Sequence, residues 1–111
     1  AGVRVSAGSD GFMDYFPLSA RSIIRELALM TELGVSPGEA IAIATGETAD
    51  LLGLQDMGTL VPGKRADLLV VDGDPLADIM ALERPWLVML DGRLVRTPGD
   101  CGAADFAWGP R

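Results

Sequence analysis

Histidine is absent from the 111 residues, and cysteine occurs once. The first absence removes the Ser-His-Asp triad, the Cys-His pair and any zinc site built on imidazole within this chain. The second excludes an internal disulfide framework, because Cys101 has no partner, and a reducing cytoplasm is then the expected setting. Cys101 lies in a Gly/Ala/Asp tail with no base beside it in sequence, which gives no basis for a nucleophile. Long apolar runs are also missing. Residues 68–71 and 86–90 fall far short of the ~20 residues that cross a bilayer, so no membrane contact is expected. Cations are scarce: nine Lys and Arg stand against sixteen Asp and Glu, a formal charge of −7. Phosphate contacts need clustered cations, and these nine are scattered, which argues against a nucleic-acid partner. Residues 1–9 have neither the basic nor the apolar region of a signal peptide, and Ala1 is not a natural start, so further residues are expected before it.

What is present suits one globular domain, with 49% hydrophobic residues. Residues 3–7 read as a strand that runs into the turn Gly8-Ser9-Asp10-Gly11, placing Asp10 just past the strand's C-terminal end. Ile23, Ile24, Leu27, Met30 and Leu33 recur at helical spacing, predicting an amphipathic helix from about Ser19 that Gly34 stops. Ser36-Pro37-Gly38-Glu39 combines a hydroxyl cap, proline at the first helical position and glutamate three residues after the cap. Together these satisfy otherwise orphaned N–H groups and start a second helix. Thr45-Gly46 is expected to interrupt it, and residues 47–52 add a further turn or two before Gly53.

The texture changes near Gly58. Residues 58–61 and 66–72 read as strands around a Pro62-Gly63 turn, and residues 77–82 as a short helix. Residues 86–90 and 93–96 flank Asp91-Gly92, a dipeptide that tolerates the positive φ angles of a two-residue hairpin turn. The tail from Thr97 has no periodicity. Taken alone, the order is α+β, with helices first and strands after. The strand before the helices looks like the start of a βα unit, yet the chain has no second unit to pair with it.

Several segments, in order, resemble the amidohydrolase superfamily, in particular the group of imidazolonepropionase-like and Xaa-Pro dipeptidase-like proteins. They are Ala7-Gly8-Ser9-Asp10, Arg25-Glu26-Leu27, Gly34 through Ala40, Ala44-Thr45, Ala49, Leu52-Gly53, Gly58-Thr59-Leu60, Pro62-Gly63-Lys64, Ala66-Asp67-Leu68, Asp74-Pro75-Leu76 and Asp91-Gly92. The resemblance implies an α/β fold: the C-terminal piece of a distorted TIM barrel plus the C-terminal strands of a small β-sandwich. By that analogy residues 1–57 are the last barrel strand and its following helices, residues 58–96 the sandwich share, and residues 97–111 an irregular tail. The implied activity is hydrolysis of C–N bonds in a small amide, cyclic amide or dipeptide-like substrate. It would use water activated by a divalent metal, zinc by analogy. Asp10 falls at the family's aspartate after the last strand, implying both a metal-ligand and a catalytic role. The family's other ligands, mostly histidines with a carboxylated lysine or a glutamate, come from earlier strands and have no counterpart in this sequence.

An aspartate suits that place chemically, because a carboxylate beside metal-bound water can take its proton and return it to a leaving nitrogen. Gly-Ser-Asp-Gly is equally an ordinary turn sequence. Phe12, Met13, Tyr15 and Phe16 follow Asp10 and suit either a substrate mouth or packing at the barrel rim. Lys64 and Asp67 belong to the sandwich segment and are assigned a structural role. Glu26 is read as a helix-surface ion pair in preference to a support for the site. The acidic surface and apolar helices are compatible with a homo-oligomer. The competing reading is a non-catalytic α+β binding or oligomerisation module without a metal site. Zinc sites need three or four converging ligands. We therefore predict that the 111-residue chain alone hydrolyses no amide and binds zinc no more tightly than an unrelated acidic protein. Turnover by the purified chain that a chelator abolishes would contradict this.

Overall fold

A computed structural model describes residues 2–9 and 16–97, with side chains for 2–9 and 21–97. Helix α1 (Phe16–Glu32) is followed by α2 (Pro37–Ala42), a π-helical turn (Ile43–Glu47) and α3 (Thr48–Leu51). Strands β1 (Leu68–Val71), β2 (Pro85–Leu90) and β3 (Arg93–Arg96) form an antiparallel sheet in that order, and a 3₁₀ helix (Ile79–Glu83) links β1 to β2. Among the described residues, no helix is long and apolar enough to cross a membrane.

The helix boundaries follow from local chemistry. At the end of α1, Gly34 takes φ 99°, the Gly34 N–H donates to the Thr31 carbonyl at 3.1 Å, and Val35 N–H to that of Met30 at 3.1 Å. This is a Schellman closure, and only glycine enters it without steric cost. Gly53, with φ 74°, ends α3 the same way through Gly53 N–H to Asp50 and Leu54 N–H to Ala49. At the start of α2, the Glu39 N–H donates to Ser36 Oγ at 3.3 Å, while the Ser36 N–H donates to Glu39 Oε2 at 3.1 Å. Both halves of the expected capping box are present. The Ser36 hydroxyl and backbone bonds hold the Glu39 carboxyl below its ordinary range. The interruption at Thr45-Gly46 is the π-helical turn, in which Thr48 Oγ1 donates to the Ile43 carbonyl at 2.6 Å.

The hairpin forms as read from Asp91-Gly92, with φ 51° and 73° at the two residues and Leu90 paired with Arg93. It also has an anchor. The Asp91 N–H donates to Asp67 Oδ1 at 2.8 Å and Gly92 N–H donates to the Ala66 carbonyl at 3.0 Å, so the start of β1 grips the turn between β2 and β3. Arg65 Nε donates to Asp67 Oδ2 at 2.9 Å. The backbone bond from Asp91, with the Arg65 charge and hydrogen bond beside it, holds the Asp67 carboxyl below its ordinary range against the opposing effect of desolvation.

Two expected strands are not formed. Residues 2–9 carry no regular secondary structure, and residues 58–61 are irregular. A strand exists only through a neighbour that completes its ladder. Within the described chain β2 pairs with β1 and with β3, and none of the three strands pairs with residues 3–9. The second case has a steric cause. Gly58 has φ 85°, and a Cβ there would lie 2.6 Å from Ala49 Cβ and 3.0 Å from the Thr45 carbonyl oxygen. The chain at Gly58 is thus pressed against the π-helical turn and α3 in a conformation that no β-strand residue adopts. The short helix expected over residues 77–82 is the 3₁₀ helix, started by Asp78, whose carboxylate accepts the Met80 N–H at 3.0 Å.

The core is small. Leu27 from α1, Ala40 from α2 and Ile79 from the 3₁₀ helix are buried together, with Ala7, Met30, Val35, Ala44 and Leu82 packed around them. Leu33, read as part of the apolar face of α1, is instead 86% exposed, because the Schellman turn ends the helix before it and redirects the chain. Gly58→Ala should destabilise the fold by about 2 kcal/mol or more, combining a clash with a disfavoured φ, as read from a urea midpoint. Asp67 has a lowered folded pKa, so the stability that it contributes is fully present above its unfolded value near pH ~3.9 and is lost as pH falls through the folded value. Asp67→Asn should therefore lower the melting temperature at pH 7 and flatten its fall below pH ~4. Parallel melting curves of the two proteins from neutral to acid pH check the sign.

Candidate functional site

The helical spacing that buries Leu27 carries its neighbour Glu26 to the side of α1 facing residues 2–9. There the Gly8 N–H donates to Glu26 Oε1 at 3.0 Å. Glu26 Oε2 is closed off from solvent and has no hydrogen-bond partner among the described residues. Two more contacts hold the same segment: Ala7 packs against the Leu27–Ala40–Ile79 core, and Arg4 forms an ion pair with Asp50 of α3. The Arg4 pair is exposed on both sides and contributes little. The contacts at Ala7 and Gly8 are the ones that fix where the segment ends.

Glu26 was expected in a surface ion pair. The structure corrects this: its carboxylate caps a backbone N–H of a segment 18 residues earlier, and neither ion pair of the described residues includes it. The position in the sequence held a signal. Glu26 lies three residues after Ile23 and one before Leu27, so it flanks the apolar stripe instead of opposing it.

Asp10, the candidate catalytic and metal residue, lies outside the described residues, as do Phe12, Met13, Tyr15 and Cys101. Phe16 opens α1, and its side chain is likewise outside the description. Lys64 and Asp67 have the geometry of structural residues, Lys64 Nζ donating to the Met57 carbonyl at 3.3 Å and Asp67 anchoring the hairpin turn. Sequence reasoning did not find the second donor to Met57, Arg65, whose terminal nitrogen lies 3.3 Å from the Met57 sulfur.

A metal can be tested against the donor set. Among the described residues, no three or more Asp, Glu or Cys side chains group so as to hold an ion, and the chain has no histidine. The described residues do not make a metal site by themselves. Asp10 is at most one ligand of several.

Residues 1–95 match the amidohydrolase family, and the chain belongs to it. It is similar to the imidazolonepropionase of Deinococcus deserti, with 34% identity over 79 residues that cover 71% of this chain and 20% of that protein. The 5-methylthioadenosine/S-adenosylhomocysteine deaminase of Teredinibacter turnerae is 34% identical over 91 residues, covering 76% of this chain and 20% of its own length. Among solved structures, a candidate prolidase from Bifidobacterium longum superimposes with a TM-score of 0.76 at 41% identity, covering 93% of this chain and 25% of that one. A Xaa-Pro dipeptidase with bound methionine in its active site gives 0.62 at 42% identity, covering 65% and 18%. The chain thus spans about a fifth of the length of these curated relatives. Those relatives are named as enzymes, which does not favour a non-catalytic module.

Proposed function

We propose that this chain forms the C-terminal part of a metal-dependent hydrolase of C–N bonds. In this reading residues 1–57 close a (β/α)8 barrel and residues 58–96 contribute strands to a small sandwich, with residues 97–111 as a tail. The observation that carries it is the family match over residues 1–95, joined to relatives named imidazolonepropionase, deaminase and Xaa-Pro dipeptidase. Each of those names describes water replacing nitrogen at carbon. The substrate class that follows is a small amide, cyclic amide, amidine-like heterocycle or dipeptide. A cytoplasmic setting fits a chain with one cysteine.

A divalent metal, zinc in this proposal, would supply water with its pKa lowered from about 15.7 to about 7. The ligands other than Asp10 would have to come from outside this chain, which has no histidine. In sequence Asp10 directly follows residues 2–9, which α1 and the core hold at Gly8 and Ala7. Its part is to bind as one carboxylate ligand, to accept the proton of the attacking water and to return it to the departing nitrogen. The family resemblance supports this, since it makes residues 3–9 the last barrel strand, and catalytic groups of such barrels lie just past the C-terminal ends of their strands.

The test is Asp10→Asn in the full-length protein, against a panel of imidazolone, aminopurine and Xaa-Pro substrates. The amide keeps the shape of the side chain but is a poor proton acceptor. Loss of at least about 100-fold in kcat with an unchanged circular dichroism spectrum is expected. Activity within a few-fold of the parent would make Asp10 a turn residue.

A further inference from the structure

We propose that Glu26 is the positioning residue for Asp10, holding the end of the residue 2–9 segment through the Gly8 N–H so that the Asp10 carboxylate is presented at a fixed place. This rests on the reading of Asp10 given above. Three observations carry it. The Gly8 N–H donates to Glu26 Oε1 at 3.0 Å, a bond between an ionisable side chain on α1 and the backbone two residues before Asp10. Two residues of chain span at most about 7 Å, so an anchor at Gly8 limits where Asp10 can go. The second carboxylate oxygen is shielded from solvent and finds no donor among the described residues.

The chemistry of the anchor is specific. A carboxylate is acceptor-only, with two oxygens, and bonds to it from backbone N–H groups are roughly twice as strong as neutral ones. A solvent-shielded carboxylate oxygen without a donor costs free energy, so the bond from Gly8 is the one that holds this carboxylate among the described residues. Leu27, the next residue on α1, is locked in the core and is 4% exposed, which fixes the helix rotation that aims Glu26 at Gly8. Residues 2–9 form no strand ladder within the described chain, so this side-chain bond and the packing of Ala7 are what set their register against α1. A displacement of ~1 Å at a catalytic group can cost about 100-fold in rate. Glu26 does not touch the reacting atoms in this account; it acts through Asp10.

The test uses Glu26→Ala and Glu26→Gln in the full-length protein, beside Asp10→Asn. Three quantities are measured: hydrogen exchange of peptides over residues 3–9, Zn²⁺ affinity by chelator competition, and kcat and KM on whichever panel substrate is turned over. Glu26→Ala should speed exchange over residues 3–9 and weaken Zn²⁺ by about 10-fold or more. It should also lower kcat by about 10- to 100-fold while KM moves less than about threefold. Glu26→Gln keeps one acceptor oxygen and should recover most of the kcat, which a general loss of folding would not allow. Unchanged exchange in Glu26→Ala, or faster exchange with kcat and Zn²⁺ affinity intact, would overturn the positioning role while Asp10→Asn remained inactive. A fully active Asp10→Asn would instead overturn the reading of Asp10, and the positioning role with it, whatever Glu26→Ala did to exchange.

Discussion

The contact on which the rest of the molecule depends is the meeting of Leu27, Ala40 and Ile79. Each comes from a different element, and Ile79 lies on the 3₁₀ helix between two strands of the sheet. Among the described residues, helices and sheet are therefore tied chiefly through the 3₁₀ helix. Ala40 allows this, because a side chain of one carbon lets α2 approach α1 closely. A larger residue there would push the two helices apart and loosen Ile79, since interiors have no spare volume. The capping box and the Schellman turn at Gly34 serve the same contact, because they fix where α1 stops and α2 starts.

So small a core leaves much apolar surface uncovered. Leu29, Leu33, Leu52, Leu60, Leu69, Leu76, Trp86 and Leu90 are all exposed. The exposed positions occur on α1 and the turn after it, on the loop after α3, on β1 and β2 and on the loop between β1 and the 3₁₀ helix.

The sheet and the site are secured by the same device: an acidic side chain that accepts a backbone N–H from a distant part of the chain. Asp67 does this at the hairpin turn and Glu26 at the end of residues 2–9. In both cases the bond crosses a long sequence separation, 24 residues and 18 residues. Carboxylates suit the task because they accept without needing to donate. Such bonds cannot be seen in a hydropathy pattern, which shows only that a charged residue lies beside an apolar one.

Elements governed by neighbours in sequence were legible from the residues alone. Ser36 with Glu39, Gly34 and Gly53 past helix ends, the interruption at Thr45-Gly46 and the turn at Asp91-Gly92 all rest on local dihedral preferences and bonds spanning a few residues. Family membership was legible too, from short segments in a fixed order between Ala7 and Gly92, and the family match covers residues 1–95. What tertiary structure decided is whatever needs a distant partner. Residues 3–9 look like a strand, but strandness depends on a neighbour, and here a helix carboxylate and the core hold them instead. Residues 58–61 have strand composition, yet Gly58 is pinned in a left-handed conformation by Ala49 and Thr45. Glu26 looked like a surface charge until the fold brought Gly8 to it. The sequence by itself determined the helix ends, the hairpin and the family; the packing of Leu27 and the long-range bonds of Glu26 and Asp67 decided the rest, because their partners are set by three-dimensional proximity and not by spacing along the chain.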